Sequence, residues 1–327
     1  MRSTKLVSNL GTFTMAVLSL AQAQAQFYQK TNLVSDVAGL ASHTDSHLVN
    51  PWGLSVTPSG PWWVSDEGTG VSTLYNADGS IVPLVVTIPP ASGTGKGTPT
   101  GTVYQPVPGR FVFVTEDGTI SSWMGGSAAA IQVNNSATAT YLGCTLAVRK
   151  GATLLYVANA RGGIEAYDLN FKPVDLGSSA FVDPNLPAGF APYNVQLAGA
   201  RIYVTYNGPG NGFVDAYDVN GNLKLRLESG TFLSAPWGVA LAPGNFGAFS
   251  NLLLIGNVGS GRIAVFNEKT GKFAGFVESA AKTPIKAPGM WALAFGNGGA
   301  AGPANTLFFT AGIRGYAHGL FGSITGK

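Results

Sequence analysis

The chain has 327 residues, of which 45 are glycine, and only 11% of the residues are charged. An apolar content of 45% is typical of a globular protein with a sizeable core, and it excludes a disordered chain. The formal net charge is only +3, so the sequence lacks the basic surface that nucleic-acid binding requires.

The first 25 residues have the composition of a secretory signal peptide. Arg2 and Lys5 give a positive start, residues 10–20 are mostly apolar, and A-x-A cleavage tripeptides occupy 21–23 and 23–25. The apolar run is well short of the roughly 20 residues of a membrane-spanning helix. We therefore expect this segment to be removed and the mature protein to be secreted or periplasmic, without a membrane span.

A short motif recurs six times along the rest of the chain. Each copy begins with an anchor whose third residue is usually small, and an apolar strand and a glycine-containing turn follow it. The anchors are Pro51-Trp52-Gly53, Pro99-Thr100-Gly101, Tyr141-Leu142-Gly143, Pro192-Tyr193-Asn194, Pro236-Trp237-Gly238 and Met290-Trp291-Ala292. The third strands carry the aromatic residues Tyr75, Trp123, Tyr167, Tyr217, Phe266 and Phe321. Short strands repeated about every 45 residues are typical of β-propeller blades.

Six copies predict an all-β fold, a six-bladed β-propeller with four-stranded antiparallel blades. The sixth copy ends without a fourth strand, whereas the mature chain begins with the segment FYQKTNLVSD ahead of the first anchor. We expect this N-terminal strand to complete blade six and close the ring, because closure removes exposed strand edges. Residues 26–327 are then expected to form one domain. The third-strand aromatics should pack between blades, and Gly53 and Gly238 should lie where the innermost strands crowd the axis.

Polar residues end most of the second strands, on the propeller face that normally holds the ligand funnel. A rim of acidic, amide and aromatic side chains there predicts binding of a small polar ligand. The alternative is that these polar groups cap turns and satisfy backbone groups at the strand ends. The candidate ligand-binding residues are Asp66, Glu116, Asn159, Tyr206 and Asn257, with Ala311 at the corresponding place in blade six, and the anchor residues Trp52, Trp237 and Trp291.

Two of the three histidines fall in the segment HTDSH, just before the first anchor. In an extended backbone His43, Asp45 and His47 point to one side, and ring closure is expected to bring His318 of blade six to the same face. Imidazoles and a carboxylate are a suitable donor set for a divalent metal ion, so we predict a metal site of these four residues. The alternative is that His43 and His47 form hydrogen bonds that pin the closure loop.

The anchors, the VSDEGTG-type turns and the aromatic third strands resemble six-bladed propellers of the NHL-repeat and gluconolactonase-like type. The segments NLVSD…HTDSHLVNPWGL, GNGFVDAYDVNGNL and AHGLFGSI resemble more closely an exported propeller family of unknown function, over nearly the whole mature chain. This resemblance implies the propeller fold and carries no established activity. Gluconolactonase-like enzymes bind metal through acids and amides, and Asp66, Glu116, Asn159 and Asn257 offer those residue types.

Two functions fit these features. The first is an extracytoplasmic binding or scaffold propeller with a ligand funnel on one face, because the sequence has no complete catalytic motif. Its partner would be a small molecule, a glycan or a protein. The second is a metal-dependent, lactonase-like hydrolase or lyase that acts at the funnel with a divalent metal ion as cofactor. The histidine segment and the acidic and amide rim favour this second function.

Overall fold

The computed structural model describes Met1 and residues 27–327, and in these residues the chain is almost entirely strand and turn. The predicted signal peptide lies outside the described residues, apart from Met1. The described part contains one short 3₁₀ helix, Gly247–Phe249. Within the same residues, no helix has the length and apolar character that crossing a membrane requires.

The strands form six sheets that follow one another along the chain. Strands β1 (Tyr28–Ser35) and β2 (His43–Thr44) precede the first blade. Blade 1 contains β3 (Pro51–Val56), β4 (Trp62–Asp66), β5 (Val71–Tyr75) and β6 (Ile81–Thr87). Blade 2 contains β7 (Pro99–Gln105), β8 (Arg110–Thr115), β9 (Thr119–Trp123) and β10 (Ala130–Asn134). Blade 3 contains β11 (Tyr141–Arg149), β12 (Ala152–Asn159) and β13 (Gly163–Tyr167).

The second half of the chain continues the pattern. Blade 4 contains β14 (Ala191–Ala198), β15 (Arg201–Asn207), β16 (Phe213–Tyr217) and β17 (Leu223–Arg226). Blade 5 contains β18 (Pro236–Leu241), β19 (Leu253–Asn257), β20 (Ile263–Phe266) and β21 (Phe273–Phe276). Blade 6 contains β22 (Met290–Phe295), β23 (Leu307–Ile313) and β24 (His318–Gly326), together with β1 and β2.

These sheets confirm the predicted six-bladed propeller. Each first strand begins at its predicted anchor or one residue before it, and neighbouring first strands contact one another around the ring, with β22 packed on β3. The innermost strands are crowded as expected. A Cβ atom on Gly53 would lie 2.5 Å from the Thr100 carbonyl oxygen, and one on Gly238 would lie 2.5 Å from the Trp291 carbonyl oxygen.

The N-terminal strand closes the ring, as predicted. Strand β1 pairs antiparallel with β24, with Tyr28 opposite Gly326 and Ser35 opposite Leu320. The Ser35 hydroxyl donates to the Gly319 carbonyl oxygen at 2.7 Å, and the Tyr28 hydroxyl donates to the Phe246 carbonyl oxygen of the preceding blade at 2.7 Å. Blade 6 therefore takes its fourth strand from the other end of the chain.

The third-strand aromatics pack between blades, also as predicted. Tyr75 and Phe321 stack with ring centroids 5.5 Å apart and join blades 1 and 6. Tyr167, Tyr217 and Phe266 belong to the buried clusters between successive later blades. Burial of each such ring contributes roughly 1.5–3 kcal/mol, so the blades are held together mainly by these apolar seams.

Blade 3 departs from the four-strand prediction. After β13 the chain makes only an isolated antiparallel bridge, between Tyr167 and Pro173, and then leaves the sheet. Proline has no N–H to donate to a continuing ladder, and Pro184 and Pro187 follow in the same connection. A hollow of about 740 Å³ lies along this edge of blade 3.

Candidate functional site

Three of the first strands are preceded by a residue with left-handed backbone geometry. Asn50, Ala235 and Gly289 have φ values of 46°, 48° and 74° and stand directly before β3, β18 and β22. Glycine and asparagine adopt this conformation readily, whereas alanine pays roughly 1–2 kcal/mol for it. In each of these three strands the second residue is a tryptophan.

The three tryptophans meet at the centre of the ring. The Trp52 and Trp291 rings stack with centroids 3.5 Å apart and planes 16° apart. Trp237 stands edge-on to both, at 6.1 Å. Leu142 of blade 3 and Tyr193 of blade 4 pack on the same cluster, so five of the six blades contribute to it. The edge-on contacts of Trp237 are of the kind that aromatic quadrupoles favour, and the cluster covers the propeller axis on this face.

A cavity of about 390 Å³ opens above this aromatic cluster. Its volume lies in the range of small-molecule sites. The lining residues are Asn50, Trp52, Glu67, Glu116, Thr140, Leu142, Tyr193, Trp291 and Tyr316. Three of the predicted ligand-binding residues are thus among them, and this set of lining residues contains two carboxylates and no basic side chain. We name this space the axial cavity.

Asn50 links the aromatic and acidic parts of the axial cavity. Its side-chain oxygen accepts the Trp291 Nε1–H at 3.0 Å, and its side-chain nitrogen donates to Glu67 Oε2 at 2.7 Å. Trp237 Nε1 donates to the Leu142 carbonyl oxygen at 3.1 Å. Trp52 is only 5% exposed, and its Nε1–H has no hydrogen-bond partner among the described residues. One buried donor of the aromatic cluster is therefore left unsatisfied.

The electrostatics of the axial cavity centre on Glu116. Burial, together with the nearby carboxylates of Glu67 and Asp117, raises the pKa of Glu116 from its usual value to about 7. Burial and the neighbouring Tyr316 and Glu116 raise the pKa of Tyr193 above its usual range. A carboxyl group that titrates near neutral pH in an aromatic cavity is a recognised mark of a functional site.

Tyr316 reaches the axial cavity from a loop with an unusual backbone. Arg314, Gly315 and Tyr316 have successive φ values of 53°, 68° and 70°. The Tyr316 ring lies 5.8 Å from Trp291, and the residue is 46% exposed. Arg314 and Tyr316 are not glycines, so their left-handed geometry stores backbone strain. Such strain tends to concentrate at ligand-binding sites.

The strand registers correct the predicted polar rim. The residues opposite the anchor prolines Pro51 and Pro99 are Asp66 and Thr115. Glu116 is therefore equivalent in position to Glu67. The prediction from the repeated motif had instead placed Glu116 opposite Asp66. The prediction treated the last polar residue of each apolar segment as the end of the strand, but β8 ends one residue before Glu116. Glu67 was missed for this reason, although it directly follows Asp66.

The remaining rim residues lie inside the blades and make structural hydrogen bonds. Asp66 Oδ2 accepts from the Thr73 hydroxyl at 2.7 Å, and burial raises the pKa of Asp66 well above its usual range. Asn159 Oδ1 accepts the Thr140 N–H at 3.0 Å, and Asn257 Oδ1 accepts the Ser234 N–H at 2.7 Å. The contacts of Asn159 and Asn257 with backbone N–H groups are those that the turn-capping alternative predicts.

The other two members of the predicted rim are also buried within their blades. The Tyr206 and Tyr217 hydroxyls are 2.8 Å apart, and Ala311 is fully buried. Trp237 belongs to the aromatic cluster without lining the axial cavity. The sequence pattern missed Asn50, Tyr193 and Tyr316, of which Tyr193 could have been found because it occupies the tryptophan position of the fourth anchor.

The predicted metal set does not come together. Strand β2 covers only His43 and Thr44, and a turn from Asp45 to Leu48 then ends the alternation on which the prediction rested. Within residues 27–327 no group of three or more His, Cys, Asp or Glu side chains is arranged to hold a metal ion. His43 instead lies beside Gly79, where a Cβ atom would be 2.9 Å from the His43 ring.

The other two histidines pair with separate carboxylates. His47 Nδ1 is 2.9 Å from Asp45 Oδ1, and Asp45 Oδ2 accepts the Tyr75 hydroxyl at 2.9 Å. His318 Nδ1 is 2.6 Å from Asp36 Oδ2, next to the closing strand β1. The alternative of hydrogen bonds in the closure loop, which named His43 and His47, describes His47. His318 makes a similar contact at the ring closure, which that alternative did not include.

Comparison with known proteins gives relatives in sequence and in fold. No family model matches the chain. Two uncharacterized proteins of Acanthamoeba polyphaga mimivirus are 27% and 26% identical to it, each over 89% of this chain and over 78% and 84% of their own lengths.

Solved structures with a similar fold include two propeller enzymes. Virginiamycin B lyase from Staphylococcus aureus matches 91% of this chain and 98% of its own at a TM-score of 0.55 and 13% identity. The PQQ-bound aldose sugar dehydrogenase from Streptomyces coelicolor matches 93% and 99% at a TM-score of 0.57 and 16% identity. Likeness at this level of identity shows the fold alone. The chain is therefore a six-bladed β-propeller, related in sequence to uncharacterized viral proteins and similar in fold to propeller enzymes.

Proposed function

We propose that the protein is an extracytoplasmic binding propeller whose ligand occupies the axial cavity. The observation that carries this proposal is the convergence of a stacked Trp52–Trp291 pair and two carboxylates, Glu67 and Glu116, in one cavity of about 390 Å³. Pockets with aromatic walls and a few convergent polar groups are the usual form of a small-molecule site.

Two other surface hollows have less of this character. One, of about 480 Å³, lies between β1 and the loop after β21, and the other is the hollow along blade 3. The first is lined by two segments of the chain, and the second by residues 164–178 with Asn135. The axial cavity is smaller, but five blades contribute to the aromatic cluster beneath it, and it holds the carboxyl group that titrates near neutral pH.

The test is a ligand screen on the purified mature protein. Tryptophan fluorescence and thermal stability are measured with a panel of organic cations, neutral sugars and carboxylates. We expect at least one class to change both signals, and the double variant Glu116→Ala/Tyr316→Ala to lose the response. Absence of any response to all three classes would overturn the proposal, as would a full response in the double variant.

Export is the second part of the proposal, and it depends on the sequence of the first 25 residues. We expect cleavage after Ala23 or Ala25, at the A-x-A tripeptides. N-terminal sequencing of the protein recovered outside the cytoplasm checks this, and a retained Met1 in that fraction would contradict it.

One observation favours an enzyme as a second candidate. Glu116, with its pKa of about 7, has the property of a general base that works near neutral pH. A hydrolase or lyase that uses Glu116 should show a rate that rises with pH to about 7 and is lost in Glu116→Gln, measured on a panel of lactones and esters. The predicted divalent metal ion is tested separately by elemental analysis of the purified protein.

A further inference from the structure

The chemistry of the axial cavity narrows the class of ligand, an inference that rests on the proposed binding function. The lining contains aromatic residues at four positions, of which Tyr193 and Tyr316 are the more exposed and Trp52 and Trp291 are largely buried: Trp52, Tyr193, Trp291 and Tyr316. Tyr193 stands edge-on to the stacked tryptophans, with centroids 6.3 Å from Trp52 and 5.8 Å from Trp291. Several rings around one space are the arrangement that recognises quaternary and other ammonium groups, through attraction to the negative ring faces.

The charge of the lining residues also favours a cationic ligand. Glu67 and Glu116 line the space, and Asp117 is close enough to add to the raised pKa of Glu116. The basic residues next to the lining segments are Lys96, Arg161 and Arg314, and all three are exposed. Lys96 donates to the Gly68 carbonyl oxygen, and Arg161 donates to the Ala137 carbonyl oxygen at 3.2 Å.

The carboxylates of the cavity thus lack a cationic partner among its lining residues, and partial burial makes their charge costly. A cation in the cavity offsets this cost because it supplies the opposite charge at short range. A neutral or anionic ligand leaves it unrelieved.

We propose that the axial cavity binds a small organic ammonium ion. The ammonium group lies against the aromatic rings near Glu67 and Glu116. The volume of about 390 Å³ accommodates such a molecule without rearrangement of the propeller.

The experiment compares choline with 3,3-dimethylbutan-1-ol, which has the same shape and hydroxyl group but a carbon in place of the charged nitrogen. Binding is followed by tryptophan fluorescence and calorimetry above the pKa of Glu116, with sodium chloride matched to the choline chloride. We expect choline to bind at least about tenfold more tightly than the neutral alcohol. Equal affinity for the two would overturn the inference, because the charge would then contribute nothing.

A charge variant tests the role of the carboxylates. Glu116→Gln should weaken choline binding about tenfold and leave the neutral alcohol unchanged, since it removes one charge with little change of shape. Glu278→Gln is the matched control, because Glu278 lies outside the cavity lining. Circular dichroism and thermal melts show whether each variant is folded.

The outcomes distinguish this inference from the function on which it rests. If a neutral sugar binds in the axial cavity and no ammonium ion does, the binding function stands and the ligand class is wrong. If neither class binds the wild-type protein, both fall. If choline binds and Glu116→Gln and Glu67→Gln each leave its affinity unchanged, the cation lies elsewhere and the inference is overturned.

Discussion

Two sets of residues occupy successive positions at the ends of the second strands, and they differ in burial and in hydrogen bonding. The inner set, which we name the capping ring, consists of Asp66, Thr115, Asn159, Tyr206, Asn257 and Ala311. Those with polar side chains are buried and bonded within their own blades. The residues that follow immediately in blades 1 and 2, Glu67 and Glu116, are half-buried and line the axial cavity.

The ends of the second strands explain the contrast. Asp66 and Thr115 are the last residues of β4 and β8, whereas Glu67 and Glu116 lie in the turns that follow. Three capping-ring side chains, those of Thr115, Asn159 and Asn257, accept N–H groups of turns and strand ends. Two of the six blades place a carboxylate at the next position. The structural role and the proposed binding role are thus separated by a single residue.

The largest effect is expected from removal of a capping-ring amide. Asn257 is fully buried, accepts the Ser234 N–H at 2.7 Å and donates to the Arg262 carbonyl oxygen at 3.1 Å. Asn257→Ala leaves the Ser234 N–H unsatisfied and a small void in its place, while the Arg262 carbonyl oxygen keeps the bond from the residue 257 backbone N–H, so we expect the free energy of unfolding to fall by about 2–3 kcal/mol. Urea denaturation measures this loss.

The same variant should keep the affinity of the axial cavity, because Asn257 does not line it. Asn170→Ala is the control, since Asn170 is exposed and its effect on stability should be within about 0.5 kcal/mol. A loss of ligand affinity in Asn257→Ala without a loss of stability would reverse the roles that we assign to the two sets.

A smaller, pH-dependent effect is expected from Glu116. Its pKa is about 7 in the folded state, above the usual value near 4.5 that it has when unfolded. Between these two values the folded state holds a proton that the unfolded state releases. The contribution of Glu116 to stability is therefore present at low pH and is lost as the pH rises through this window.

Glu116→Gln should remove that slope, so its stability relative to wild type should rise between about pH 4.5 and pH 7 and then level off. Asp215, whose pKa burial also raises to about 7, is present in both proteins and cancels in the comparison. Choline affinity of the wild type should weaken about tenfold from pH 8 to pH 5.5, as protonation removes one carboxylate. A flat profile in both measurements would show that Glu116 is solvated like a surface carboxylate.

The sequence was sufficient to predict the blades but only part of the site. Repetition of the anchors and of the third-strand aromatics predicted six sheets and the closure by β1, because each blade must bury the same faces. The missing fourth strand of blade 3 follows from Pro173 and the prolines after it, which the repeat pattern alone does not weigh.

The site depends on features that no single segment contains. Asn50, Glu67, Tyr193 and Tyr316 come from three blades and meet only when the ring closes. The one-residue shift between Asp66 and Glu116 is set by hydrogen-bond register, which unequal strand lengths conceal in the sequence. The four predicted metal ligands do not converge because the prediction extended strand alternation through HTDSH, where the Asp45 side chain instead accepts the His47 N–H at 2.9 Å in a turn.

The smallest effect is expected at Ala235. A substitution there alters neither the capping ring nor the carboxylates that follow it in blades 1 and 2. Its φ of 48° is a conformation that glycine adopts freely, and Gly289 holds the same place before β22. Ala235→Gly relieves roughly 1–2 kcal/mol of backbone strain but gives the unfolded chain more freedom, at a cost of roughly 0.5–1 kcal/mol. We expect a net gain of about 0.5 kcal/mol in the free energy of unfolding, with no change in ligand affinity. Ala300→Gly, at an exposed residue of ordinary backbone geometry, should instead lose stability. If both variants lose the same free energy of unfolding, Ala235 is unstrained in its left-handed geometry. The capping ring alone then sets the stability of this face.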